Sequence, residues 1–245
     1  MPTLPRPAAS RLLAGVAGFV LLASGCGGGS GSKTTSTTPT SLPVSTTAPP
    51  PGQPQLQAMV LQQGDLPTGW SAKPASPPAD PKAEAAAFAQ CVGGPSTFSD
   101  QAAVAYSPNF VKGTSFISST ATSFKSPADI QTNAAALANP KASACYTQVV
   151  KARATAALPK GTVKSVTFKI TPGAGAGPAN VIATATGSIV FTSAGKTLTL
   201  NNVVVFFAAP RTEAHVDFFS IGSAIPASVK TAVINKVSAR VQTGS

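Results

Sequence analysis

Acidic side chains are scarce in this chain: Asp and Glu number 7 against 18 Lys and Arg, for a net charge of +11. So few carboxylates assemble neither the pair that flanks a glycosidic bond nor an oxygen-rich calcium loop. The single histidine, His215, gives Ser-His-Asp chemistry one place to stand, and no Gly-x-Ser-x-Gly elbow accompanies it. The 3 cysteines include no Cys-x-x-Cys spacing, which removes the common thiol redox motif. Gly173 to Gly177, within PGAGAGP, lacks the Gly-Lys-Ser/Thr of a phosphate loop, and Pro178 blocks a helix start, so this is a loop between strands. The apolar run Leu12 to Leu22 is too short to cross a hydrocarbon core of about 30 Å as a helix.

That short run has another use. Arg6 and Arg11 precede it as a positive n-region, and the small residues Ala23, Ser24 and Gly25 follow it, which is the pattern of a cleaved export signal. The Ala-Ser-Gly-Cys ending resembles the lipobox of bacterial lipoproteins, with Leu22 one place further upstream than the usual leucine. The resemblance implies that the thiol of Cys26 receives a diacylglycerol and that Cys26 becomes the mature N-terminus, on the outer face of the plasma membrane. Two acyl chains give a stable anchor where one binds only marginally, each buried methylene contributing about 0.8 kcal/mol. An ordinary secretory signal cleaved near Gly25, with Cys26 incidental, is the competing reading.

From Gly27 to about Gln55 the chain is rich in Gly, Ser, Thr and Pro, has no apolar period and cannot bury enough surface to fold. It reads as a disordered tether, stiffer toward Ala48 to Pro51, where polyproline geometry takes over. The expected division is therefore a signal peptide over 1–25, a linker over 26–55, and one extracytoplasmic domain over 56–245. Roughly 190 residues suffice for one substantial core. Export makes nucleic acid an unsuitable partner, and the lysines are scattered rather than interleaved with aromatics. The positive balance favours anionic headgroups or anionic wall polymers instead. With Cys26 assigned to lipid, Cys91 and Cys145 form an even pair in an oxidising compartment and read as a disulfide; two buried free thiols are the alternative.

Periodicity supplies an α+β fold class, an antiparallel sheet packed with helices. Leu56, Met59 and Val60 share a helical face that ends near Gly64, and Trp70 reads as a core plug locking that helix onto the sheet. Asp80 caps a helix over 80–92 that Gly93-Gly94 stop, with Cys91 in its last turn. Strands are expected at 102–106 and 113–124, then a helix opened by Ser126 and Asp129 and ended by Asn139-Pro140. A further helix over 141–158 turns Cys145 inward. Four long strands follow, at 163–171, 180–192, 196–208 and 211–221, joined tightly at 193–195 and 209–210 and so antiparallel. Val203 to Phe207 is apolar on both faces, which means a central strand covered on both sides or one bordering an internal cavity. A last helix, 227–241, packs Val229, Val233, Val237 and Val241 on the sheet.

Glu213, His215 and Asp217 alternate along one strand and share a face. Alternate residues stand about 7 Å apart, which splays the ligands a zinc ion needs to converge. The row is expected to be a solvated strand face, with no metal site and no cofactor. A small hydrolase using His215 is the weakest functional reading.

The motifs Leu66-Pro67-x-Gly69-Trp70, Phe88-Ala89-Gln90-Cys91-Val92-Gly93 and Ser107-Pro108-x-Phe110, with the later Cys145, resemble a group of actinobacterial envelope lipoproteins. That group is related in outline to the extracellular sensor domains of actinobacterial serine/threonine kinases and to PsbP-like folds. The resemblance implies an antiparallel sheet with packed helices, a disulfide joining helical regions and a hydrophobic cleft, and it carries over no catalytic residue. The expectation is a non-enzymatic lipoprotein that binds an apolar or amphipathic envelope ligand near Ile189, Phe191, Phe206, Phe207, Phe218 and Phe219. The alternative is an accessory protein that docks an envelope enzyme, transporter or wall polymer through a basic surface.

Overall fold

A computed structural model describes residues 49–173, 178 and 180–244. The signal segment, Cys26 and most of the tether lie outside the described residues, as does the middle of the PGAGAGP loop.

The elements run α1 (Gln53–Met59), β1 (Ser71–Lys73), α2 (Pro81–Val92), β2 (Gln101–Tyr106), β3 (Asn109–Lys112), β4 (Ser115–Phe124), α3 (Pro127–Ala138), α4 (Ala142–Ala157), β5 (Val163–Pro172), β6 (Val181–Ser193), β7 (Lys196–Ala209), β8 (Thr212–Ile221) and α5 (Ala227–Thr243). All strands join one eight-stranded sheet in the order β1-β3-β4-β8-β7-β6-β5, with β2 on the same edge of β4 as β3. Every pairing is antiparallel. The α+β class is as expected.

Local chemistry explains the boundaries. Asp80 accepts the Ala83 N–H at 2.9 Å and Gly93 adopts φ 87°, so α2 starts and stops where its cap and its left-handed glycine dictate. Ser126 and Asp129 form a reciprocal capping box at the start of α3. The β6–β7 hairpin turns on Ala194 and Gly195 at φ 49° and 74°, both positive as a two-residue turn of this hand requires. Two differences from expectation are short elements. Helix α1 begins at Gln53, inside the expected linker, because Pro54 is tolerated in a first turn. Strands β1 and β3 are only three and four residues long, too brief to show alternation.

Sheet alternation builds two cores, one on each face. Val204 and Phe206 join Phe191, Ile189 and Phe219 beneath α2, α3 and α4. Val205 and Phe207 join Trp70, Leu56, Met59, Phe218 and Val233 beneath α1 and α5. The two-faced strand is therefore covered on both sides, and Trp70 is a core residue beside α1. Phe116 and Phe219 stack across β4 and β8 with ring centres 4.4 Å apart. The second layer is pinned by Asp65, which takes both guanidinium nitrogens of Arg240 in α5, at 2.6 and 2.7 Å, and the Gln62 N–H at 2.7 Å. Burial alone would raise the Asp65 carboxyl; Arg240, the Gln62 N–H and Lys236 together hold it below its ordinary value.

At the far edge, α4 lies along β5. The hydroxyls of Thr147 and Ser143 accept the Phe168 and Ile170 N–H groups at 3.0 and 2.9 Å. Phe168 in turn covers Gly187 of β6 and meets Tyr146 edge-on at 5.1 Å. Cys91 of α2 and Cys145 of α4 are bonded, with Cα atoms 5.6 Å apart across a sequence separation of 54. Among the described residues the paired strands, both cores and the disulfide lie within 53–243, so residues 49–245 carry every element of the described fold.

Closing that loop removes denatured-state entropy worth about 4 kcal/mol, so Cys91→Ser with Cys145→Ser should lower unfolding free energy by up to that amount. Urea titration of residues 49–245 with and without reductant measures it: wild type should move with reductant and the double variant should not. A Cβ at position 187 would sit 2.1 Å from the Thr167 carbonyl oxygen and 2.5 Å from the Phe168 ring. Gly187→Ala should therefore cost about 1–3 kcal/mol by overpacking, read as a lowered urea midpoint at unchanged slope.

Candidate ligand groove and the buried polar row beneath it

The row on β8 is the first correction. Glu213, His215 and Asp217 do share a face, but each is only 2% exposed, so the face is not solvated. It looks into the core under α2, α3 and α4, and its neighbours across β4 are the buried Thr122, Thr120 and Ser118. A helix from elsewhere in the chain provides a partner for Glu213, while His215 Nε2 and Asp217 Oδ2 make no hydrogen bond among the described residues. Asn133 of α3 donates to Glu213 Oε2 at 2.8 Å, and Thr97 donates to Asn133 Oδ1 at 3.1 Å. His215 Nε2 and Asp217 Oδ2 stand 3.4 Å apart, and the His215 ring lies 5.9 Å from that of Phe206.

Burial governs the charges here. Desolvation pushes Glu213 up to about 8 against the Asn133 hydrogen bond, and Asp217 up to about 7 against the pull of Arg153. Desolvation, with the Arg153 charge adding to it, lowers His215 to about 3. Near neutrality Glu213 is mainly protonated and His215 is neutral. The histidine is thus poor at gaining a proton and is closed off from solvent. Among the described residues no group of three or more His, Cys, Asp or Glu side chains is placed to hold a metal ion.

On the outer side of the same layer, α2, α4 and the segment Ser76–Asp80 enclose a groove of about 800 Å³. Its walls are mostly small and apolar: Pro77, Pro78, Ala83 and Ala87 on one side, Val149, Ala152 and Ala156 on the other. The charged lining residues are Asp80, Glu84 and Arg153. Arg153 is 9% exposed and lies 3.5 Å from Glu84, which is 17% exposed. Arg153 also acts on His215 and Asp217, so it stands electrostatically between the groove and the polar row. Burial raises the Glu84 carboxyl; Arg153 opposes that and Asp80 reinforces it.

The aromatic residues expected near a ligand do not line this groove. Ile189, Phe191, Phe206, Phe207, Phe218 and Phe219 are buried core, and the two-faced strand borders packed side chains. Cys91 and Cys145 do come together, on the two helices that wall the groove. Asp80 enters the sequence reading only as a helix cap, and Arg153 does not enter it. The faint signal there is a single charge among the groove-facing alanines of each helix: Glu84 near Ala83 and Ala87, Arg153 near Ala152 and Ala156. The chain matches no protein-family model, no curated protein and no solved structure. Among the described residues no helix is long and apolar enough to cross a membrane.

The buried row makes stability depend on pH. Between about 4 and 6.5 the folded chain keeps protons on Glu213 and Asp217 that the unfolded chain has released, while the unfolded chain binds one at His215. From about 6.5 to 8 the histidine no longer opposes, and only the carboxyl contributions remain. Folded binds more protons than unfolded throughout, so stability should fall as pH rises from about 5 to 8. Urea unfolding across that interval should show the decline, and Glu213→Gln with Asp217→Asn should abolish it, leaving stability to rise between about 5 and 6.5 as the unfolded histidine loses its proton.

Proposed function

We propose that this chain is a lipid-anchored extracytoplasmic binding module, held to the plasma membrane through Cys26 and receiving an apolar or amphipathic envelope ligand in the groove between α2 and α4. The observation that carries the reading is the groove itself, whose volume of about 800 Å³ falls in the range of small-molecule sites and whose walls are alanine, proline and valine. The reading is non-enzymatic: the histidine is buried under helices and none of the groove's polar groups forms a nucleophile with an activating base. The Gly/Ser/Thr/Pro-rich segment gives the domain reach from the membrane.

A second reading has its own support. Lys160, Lys164, Lys169 and Lys196 are all exposed at the β5 end of the sheet, a basic surface suited to an envelope enzyme, a transporter or an anionic wall polymer.

Native mass spectrometry of residues 49–245 after incubation with lipid extract from the source cells tests the groove. The expected result is a discrete adduct that is lost on denaturation and absent when Ala83→Trp and Ala156→Trp fill the groove. A bare wild-type protein, or an adduct that survives both substitutions, overturns the groove reading. Cys26→Ala in the full chain should move the protein from the membrane fraction to the medium; retention in the membrane overturns the anchor.

A further inference from the structure

The groove carries two carboxylates against one cation on a protein of positive balance. Of 7 acidic residues in a chain of net charge +11, Asp80 and Glu84 lie four apart on the first turn of α2 and both line the groove. Like charges at this spacing repel, by about 0.2–0.5 kcal/mol on an exposed helix. Arg153 is the single cation in the groove lining, and on its core side its charge also attracts the Asp217 carboxylate. Its distance of 3.5 Å from Glu84 is longer than a charge-assisted hydrogen bond, which leaves the carboxylate acceptor capacity for a ligand. Exposure points the same way: Glu84 is 17% exposed against 9% for Arg153, so a headgroup entering from solvent meets the carboxylate first.

Resting on the proposal that the groove binds an amphiphile, we infer that its preferred ligand carries a cationic, hydrogen-bond-donating headgroup of the ammonium type. The ammonium settles between Asp80 and Glu84 and relieves their repulsion, while the hydrocarbon lies along Ala83, Ala87, Ala152 and Ala156. An anionic headgroup reaches Arg153 only by displacing Glu84 and passing close to Asp80. The positive balance of the chain disfavours a cation on its lysine-bearing surfaces. Burial holds the Glu84 carboxyl above its ordinary value, so mild acid weakens the site by protonating it.

Isothermal titration of residues 49–245 with three probes of one chain length, decylammonium, decanol and decanoate, each below its micelle concentration, reads the preference directly. Decylammonium should bind about tenfold or more tightly than decanol, and decanoate more weakly than either. Glu84→Gln with Asp80→Asn should erase the ammonium advantage and leave decanol unchanged; asparagine preserves the helix cap, and the urea midpoint reports folding. Decanoate or decanol binding as tightly as decylammonium overturns the cationic preference and leaves the groove reading standing. Absence of binding by all three overturns both.

Discussion

Everything in this domain depends on keeping β8 buried on both faces although one of those faces is polar. The strand is paired on both edges, by β4 and β7, and roofed on each side by helices. A central strand of valine and phenylalanine would meet that demand without further provision. Instead Glu213, His215 and Asp217 line one face, and each must be neutral, hydrogen-bonded or balanced by charge to remain there. Asn133 from α3 bonds Glu213 and the charge of Arg153 from α4 acts on Asp217, so two helices of that layer bear directly on what the strand presents.

The same requirement ties the interior to the surface. Arg153 is held by the field of Asp217 from inside and by Glu84 from outside, and the outer of these contacts forms part of the groove. The groove's two helical walls are also joined covalently, at Cys91 near the end of α2 and Cys145 near the start of α4. The bond sits away from Ala83, Glu84 and Ala156, so the walls are joined covalently at one end and by the Glu84–Arg153 ion pair at the other.

Much of this was legible in the sequence where the physics is local. Caps at Asp80 and Ser126, the stop at Gly93, the long alternating strands and the even cysteine pair are properties of neighbouring residues or of period, and each element stands close to its expected place. What escaped is non-local. Alternation places Glu213, His215 and Asp217 on one face without saying what covers that face, and the covering residues Asn133 and Arg153 lie 80 and about 60 positions away. The Asp65–Arg240 pair spans 175 positions and left no local trace. The groove was missed because alanines mark a wall only once two helices are known to face each other.

The hydroxyls of Ser143 and Thr147 carry a consequence for how copies of the molecule meet. An amide that already donates to its own helix cannot donate to a neighbour's strand, so β5 is not a template for sheet extension at Phe168 and Ile170. What a second copy approaching that edge encounters is the exposed ammonium groups of Lys164 and Lys169. Strand exchange through that edge is therefore opposed twice, by amides already bonded and by the lysine charges beside them.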